Sequence, residues 1–416
     1  VLLSGGTGEQ VTFRRVSKFG NRKTDGSWRI EGMLPLPPLY PITSALRPES
    51  LSTQVERFGE AGFPLVQFRG KPLDAKAQWV ELRNCLRHAA ENGGWPLVVV
   101  NDRADLAVLA AREGLVPWGL HLGQDDLPPF EARRLPGLEG LHIGTSTHCR
   151  EEWAELDESC DHAGVGPFRS TTTKPDHAAP IGVEGLRQAC IALRARGIAP
   201  AAIGGLRVED AKACFGAGAE SLAMAGALDE CSSAAESLWL AQVERWQQRP
   251  AFAPGQGLLL TGSSGAGKST LAVELSRRLG LPAIDLDEQI ARRAGRSIPE
   301  IFEHAGETAF RQLEAQELAT HLGSPAVVAL GGGAWETESL RRQAGQSGFA
   351  ILWLAETPAR CWARAGGDPS RPLAVAPELF LGRHRQRIGR WSELPCVLPL
   401  GRTAAALAEA LVRALD

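Results

Sequence analysis

No apolar run in this chain approaches the ~20 residues needed to span a bilayer, which argues against a membrane protein. Charge of one sign is never sustained either. The 45 basic and 48 acidic side chains are interspersed and leave a formal net charge of −3, so the basic footprint expected of a nucleic-acid-binding protein is missing. The eight cysteines follow no framework spacing and no secretory signal precedes them, so reduced thiols and a cytoplasmic location are expected. His148, Cys149, Cys160 and His162 lack the two-residue gap of a zinc knuckle. What remains is a globular composition, 44% apolar and 22% charged, in 416 residues, enough for two or three domains handling small molecules. A homo-oligomer is compatible with it.

Residues 1–38 show no sustained period and are expected to form a loosely ordered extension without an assigned function. The glycine cluster at 4–8 is followed by Glu9 and lacks the lysine of a phosphate loop.

From residue 39, eight short apolar runs alternate with helical patterns, at 39–43, 64–68, 97–100, 119–122, 141–145, 164–166, 201–203 and 221–224. Eight alternations in about 200 residues predict a closed (β/α)8 TIM barrel over 39–246, whose chemistry lies at the C-terminal strand ends. Polar residues collect there: Gln67, Arg69 and Lys71 after the second run, Asn101 and Asp102 after the third, His121, Gln124 and Asp126 at the fourth, Ser146 at the fifth, Thr171, Thr173 and Lys174 after the sixth. Asp102 and Asp126 suit Mg²⁺, and Arg69, Lys71 and Lys174 suit phosphate oxygens, so a metal-bridged diphosphate is the expected ligand. Gly204 and Gly205 offer backbone N–H groups to a second phosphate.

Residues 247–256, with Pro250, Pro254 and Gly255, break the pattern and read as a linker. Beyond it, residues 262–270 (Gly262, Ser263, Ser264, Gly265, Ala266, Gly267, Lys268, Ser269, Thr270) satisfy G-x-x-x-x-G-K-[ST] between an apolar run and a helical face of Leu271, Leu275 and Leu279. Backbone N–H groups of such a loop cradle phosphates, Lys268 reaches the outer ones, and Ser269 can ligate Mg²⁺, so ATP is the expected co-substrate. A parallel-sheet, three-layer α/β/α domain is expected over 257–416. Asp285 and Asp287 close its second strand, where alternation lets at most one face the nucleotide. Arg311 and Glu314 share a helix face and can pair.

Two resemblances follow from these segments. Leu-Tyr-Pro-Ile-Thr-Ser at 39, Gln-Phe-Arg-Gly-Lys at 67, Val-Asn-Asp-Arg at 100, His-Leu-Gly-Gln-Asp-Asp at 121, Gly-Thr-Ser-Thr-His at 144, Gly-Val-Gly-Pro at 164, Thr-Thr-Thr-Lys at 171 and Ile-Gly-Gly at 203 resemble thiamine-phosphate synthase. The resemblance implies Asp102 and Asp126 as metal ligands and Arg69, Lys71, Asn101, Thr171, Thr173 and Lys174 on the diphosphate, with Lys174 catalytic. It also places Gln67 and Ser146 on the pyrimidine and Gly205 on thiazole phosphate. Arg169-Ser170 replaces the aromatic-proline pair usual there. A thiazole tautomerase is the alternative reading of the barrel.

Asp-Leu-Asp-Glu-Gln-Ile at 285, Gly-Arg-Ser-Ile-Pro-Glu-Ile-Phe at 295, Phe-Arg-Gln-Leu-Glu at 310, Gly-Gly-Gly at 331 and Arg-Pro-Leu at 371 resemble shikimate kinase. That resemblance implies that Asp287, Arg311, Gly332 and Arg387 bind shikimate, that Asp285 supports Mg²⁺, and that Arg364 (on ATP) and Arg371 (catalytic) sit on a mobile lid. Trp391 stands where the family usually has a tyrosine after the substrate arginine. Gluconate kinase is the alternative here, and either half could instead be a non-catalytic ligand sensor.

Overall fold

The computed structural model describes residues 19–22, 28–30 and 36–415, apart from 158, 171–178, 227, 229–233, 369, 372 and 375. Within the first segments, β1 (Phe19–Arg22) and β2 (Trp28–Ile30) pair as an antiparallel ribbon, which the sequence reading did not foresee.

All eight barrel strands form: β3 (Leu39–Pro41), β4 (Leu65–Phe68), β5 (Leu97–Asn101), β6 (Gly119–Leu122), β7 (His142–Thr147), β8 (His162–Val165), β9 (Ala199–Ile203) and β10 (Ser221–Met224). Every neighbour in the order β3-β10-β9-β8-β7-β6-β5-β4 is parallel. A bridge from Ile42 to Gln67 and the Thr43 N–H donating to Gln67 O at 2.9 Å close the ring. Helices α1 (Leu51–Glu60), α2 (Ala75–Glu91), α3 (Ala104–Arg112), α4 (Pro129–Ala132), α5 (Arg150–Glu155), α6 (Gly182–Ala195), α7 (Ala211–Ala217) and α8 (Ala234–Gln248) follow the strands in turn. Strand side chains alternate: Val66, Val98, Val100, Leu120, Ile143 and Ala163 are buried toward the helices, while Gln67, Asn101, His121, Gly144 and Ser146 take the axis and upper rim.

The second sheet is also parallel, in the order β12-β13-β11-β14-β15, from β11 (Leu258–Thr261), β12 (Ala283–Asp285), β13 (Val327–Ala329), β14 (Ala350–Leu354) and β15 (Cys396–Val397). Alternation gives it two cores. Leu258, Leu260, Leu352 and Leu354 pack with Leu271 and Leu275 of α9 (Lys268–Leu279) and Leu407 and Leu411 of α15 (Ala404–Arg413). Leu259, Val328 and Ile351 face Leu286 and Ile290 of α10 (Leu286–Ala294) and Ile301, Phe310 and Leu318 of α11 (Ile298–His321). The start of α11 is written locally: the Ser297 hydroxyl accepts from Glu300 N while the Glu300 carboxylate accepts from Ser297 N, a capping box. Helices α12 (Glu338–Gln346), α13 (Pro358–Ala365) and α14 (Pro377–Trp391) complete the layers.

The core on the α10–α11 face runs without a break into the barrel. The junction lies at the N-terminal ends of the barrel strands. There Trp95 meets Trp353 edge-on at 6.4 Å, Trp353 stacks on Trp391, and Trp118 Nε1 donates to Ser392 Oγ at 3.1 Å. The His384 ring nitrogen Nδ1 lies 2.7 Å from Gly93 O, and Gln242 bonds both backbone groups of Leu398. Because the second domain covers the N-terminal face, the barrel's C-terminal rim, where barrel chemistry lies, opens on the side away from it.

Candidate active sites

On the barrel rim, Gln67 ends the inward row of β4 and its Nε2 donates to Asn101 Oδ1 at 3.3 Å, joining the ends of β4 and β5. Asp102 follows with φ 62°, a left-handed conformation that turns its carboxylate over the barrel mouth. Lys71 forms an ion pair with it. Asp126, on the loop after β6, accepts from Gly123 N at 2.6 Å and lies within hydrogen-bonding reach of Asp102. Burial works to raise the Asp102 carboxyl, but the Lys71 ammonium outweighs it and holds the group below its ordinary value. Burial pushes Asp126 up, and the Asp102 charge adds to that, against the Gly123 hydrogen bond. Two carboxylates crowded together, one of them disfavoured as an anion, form a donor pair that fits a hard divalent cation whose other ligands are water and phosphate oxygens. Arg69 stands close enough for the Asp102 charge to oppose the lowering that burial imposes on its guanidinium.

Ser146, on the inward row of β7, has its hydroxyl 3.1 Å from His121 Nε2, and Gln124 Nε2 donates to its backbone carbonyl. Gly204 and Gly205, with φ 90° and 63°, lie where a Cβ would strike Pro167 or the Arg169–Ser170 backbone within 3 Å. The Arg169 that departs from the expected pattern pairs with Asp210 and lies over the Phe168 ring at 5.7 Å. Thr171, Thr173 and Lys174 lie outside the described residues.

In the second domain the phosphate loop links β11 to α9, and its glycines answer to close backbone approach. A Cβ on Gly265 would stand 2.3 Å from Cys361 O, and its φ is 80°. Lys268 is buried, its Nζ donating to Gly262 O at 3.0 Å and Ser263 O at 2.9 Å; burial lowers its pKa to about 8, with the Asp287 charge working the other way. Ser269 Oγ donates to Asp285 Oδ2 at 2.5 Å, a hydroxyl and carboxylate pair that also fits Mg²⁺.

The strand-alternation expectation for the two acids is corrected here. Strand β12 ends at Asp285, which caps α10 by accepting from Asp287 N and Glu288 N, so Asp287 already lies in a helical turn and both acids face the site. Asp287 Oδ1 is buried without a hydrogen-bond partner, and burial, then Asp285, raises its pKa.

The glycines after β13 are the meeting point. A Cβ on Gly331 would lie 2.3 Å from Glu314 Oε1 and 2.9 Å from Asp287 Oδ1; on Gly332, 2.5 Å from Ser264 Oγ; on Gly333, 2.3 Å from Arg311 Nη2 and 2.9 Å from Arg387 Nη2. Bare backbone thus lets the phosphate loop, Asp287, Arg311 and Arg387 converge. Arg311 pairs with buried Glu314 and with Glu307. Arg387 donates to Glu336 Oε2 at 2.8 Å and to Gly332 O at 3.2 Å. Arg364 reaches Gly265 O at 3.2 Å and the buried carboxylate of Glu356 at 3.1 Å. Arg371 donates to Asp368 Oδ2 at 3.0 Å and stands close enough for its charge to act on Lys268 and Asp287. Sequence reasoning missed Glu336 and Glu356, which hold Arg387 and Arg364; isolated acids outside any periodic pattern carry no local signal of a partner 51 or 8 residues away.

Residues 39–228 match the family model described as thiamine monophosphate synthase, and residues 264–391 match that described as shikimate kinase. A thiamine-phosphate synthase of Chloroflexus aurantiacus is 38% identical over 207 residues, 48% of this chain and 90% of that protein. One of Prochlorococcus marinus is 39% identical over 44% of this chain, which spans 50% of its length. Among solved structures, shikimate kinase from Acinetobacter baumannii in complex with shikimate shows 32% identity over 38% of this chain and 92% of that one, with a TM-score of 0.36. The chain belongs to the thiamine-phosphate synthase family through its barrel, and it carries a shikimate-kinase-family domain behind it.

Proposed function

We propose that the chain is a bifunctional enzyme. The barrel couples hydroxymethylpyrimidine diphosphate with thiazole phosphate to give thiamine phosphate and pyrophosphate. The second domain phosphorylates shikimate with ATP to 3-phosphoshikimate. The observation that carries the first reading is the cluster of Lys71, Asp102 and Asp126 beside Gln67, Asn101 and Ser146, cationic and metal-binding groups next to neutral hydrogen-bonding ones. Asp102 and Asp126 would hold Mg²⁺, which supplies positive charge to a departing diphosphate. Arg69 and Lys71 spread further positive charge over the same leaving group, so the C–O bond to the pyrimidine methylene breaks with its electron pair on oxygen. Gln67 and Ser146 hold the ring while the thiazole nitrogen donates its lone pair to the methylene carbon. No general base is needed.

For the second domain the carrying observation is the triple glycine that gathers Ser264, Asp287, Arg311 and Arg387. Arg311 and Arg387 form a fork for a substrate carboxylate and hydroxyls. Asp287, raised by burial and then by Asp285, is a better proton acceptor than an ordinary carboxylate. It takes the proton of the acceptor hydroxyl as that oxygen attacks the γ-phosphorus and ADP leaves. Lys268 and Arg364 stabilise the transferring charge, and Ser269 and Asp285 would hold Mg²⁺.

Incubating the purified chain with each substrate pair and identifying products by mass spectrometry tests both readings. Thiamine phosphate and 3-phosphoshikimate are expected. Phosphorylation of gluconate but not of shikimate when each is offered with ATP, or release of a tautomerised thiazole phosphate without coupling, overturns the corresponding half.

A further inference from the structure

A file of imidazoles runs along the barrel axis among inward aliphatic side chains such as Val99 and Ile203. His142, Gly144 and Ser146 form the inward row of β7, and His162 and Gly164 that of β8, each at the two-residue spacing of a strand. The glycines make the room: a Cβ on Gly144 would lie 1.9 Å from the His162 ring, and one on Gly164 would lie 3.3 Å from His121 Cε1. Contacts run in sequence through the core. His142 Nε2 is 3.0 Å from His162 Nδ1, His162 Nε2 is 3.1 Å from His121 Nδ1, and His121 Nε2 is 3.1 Å from Ser146 Oγ. At the far end Asp161 Oδ2 lies 4.0 Å from His142 Nδ1, and that ring stacks on Trp118 at 4.3 Å.

A neutral imidazole has one N–H and one bare nitrogen, so such a file has only two arrangements: every N–H points toward Ser146, or every N–H points away from it. Burial, with the His142 and His121 imidazoles on either side, holds His162 well below the ordinary imidazole range, so the middle member is neutral. The charged groups at the ends decide between the two. Asp161, buried and paired with Arg133, faces His142 Nδ1 and favours the proton on that nitrogen. At the other end the Asp102 carboxylate, largely buried, also acts on His121, but it is engaged by the Lys71 ammonium and by Asp126, whereas Asp161 lies directly against the His142 ring nitrogen. With the proton on His142 Nδ1, His142 Nε2 accepts from His162, His162 Nε2 accepts from His121, and His121 Nε2 accepts the Ser146 O–H.

We propose that Asp161, His142, His162 and His121 are positioning residues that fix the direction of the Ser146 hydroxyl, so that Ser146 meets the substrate as an acceptor for an exocyclic N–H donor on the pyrimidine ring. No proton leaves the file; its members set one polarity. The proposal rests on the synthase reading of the barrel for its substrate, though not for its tautomers.

The test begins on the full chain with ¹⁵N-labelled histidine rings, the His121 signals being assigned by their loss in His121→Gln. The expected result is a protonated Nδ1 and a bare Nε2 on His121; a protonated Nε2 overturns the proposal. His142→Phe then keeps a ring against Trp118 while cutting the file. It is expected to lower kcat/KM for the pyrimidine diphosphate about ten-fold, the size of one well-aligned hydrogen bond, and to leave phosphorylation by the second domain unchanged. On a Ser146→Ala background the same substitution is expected to have no further effect. An unchanged kcat/KM, or an additional loss in the double variant, overturns the positioning role. If His142→Phe fails to fold, seen as loss of phosphorylation too, the ring signals of the unmodified chain decide alone. A chain that does not couple the substrates removes the synthase reading while leaving the tautomer result standing.

Discussion

Glu314 shows how far one side chain departs from its ordinary chemistry. It is fully buried, its Oε1 has no hydrogen-bond partner, and burial raises its pKa to about 7 from 4.5, the nearby Asp287 charge adding while Arg311 opposes. A carboxyl raised on folding binds its proton more tightly in the native state. Its contribution to stability is therefore complete below 4.5 and lost as the pH rises through about 7. Glu314→Gln removes that dependence. Urea unfolding at pH 5 and pH 8 is expected to show a larger fall in stability across the interval for the unmodified chain than for the variant; equal falls contradict the assignment. The arrangement also accounts for Gly331, whose missing Cβ leaves space against both Glu314 and Asp287.

Among elements, the turn after β13 carries the most site geometry in the fewest atoms. Gly331→Ala puts a methyl group 2.3 Å from Glu314 Oε1, an overpacking cost of about 1–3 kcal/mol that displaces Asp287. Phosphorylation is expected to fall at least ten-fold with coupling unaffected, as measured by parallel assays of the two activities. Much of this was legible beforehand. Eight apolar runs announced the barrel strands, the phosphate loop announced β11 and α9, and polar residues at strand ends marked the rim. Other features were not. Strand β15 is only Cys396–Val397, too short for any period to register. The switch from strand to helix at Asp285 is set by a cap, so the expectation that at most one of the two alternating acids faces the site does not hold. The imidazole file depends on which strands adjoin, information held in the barrel's closure rather than in the spacing of His121, His142 and His162.

The whole molecule is joined by packing as well as by its linker. Trp353 is 3% exposed and sits between Trp95 of the barrel and Trp391 of α14, the helix that also carries Arg387. His384, on that same helix, reaches Gly93 O, so the barrel's closed end buttresses the helix that carries Arg387. Trp353→Ala opens a cavity at the junction and is expected to cost about 3–5 kcal/mol. Both activities are expected to fail together at a lowered temperature in thermal-inactivation assays; loss of phosphorylation alone contradicts a shared core.

The two sites themselves remain chemically separate, since one lies on the rim away from the junction and the other at the triple glycine. Crossed assays of Lys268→Ala and Asp102→Ala, each measured for phosphorylation of shikimate and for coupling of pyrimidine diphosphate to thiazole phosphate, test that separation most directly. Lys268→Ala is expected to lower phosphorylation by about 10²–10³-fold and leave coupling intact, and Asp102→Ala to do the reverse. Phosphorylation that survives Lys268→Ala, coupling that survives Asp102→Ala, or either substitution abolishing both activities contradicts it.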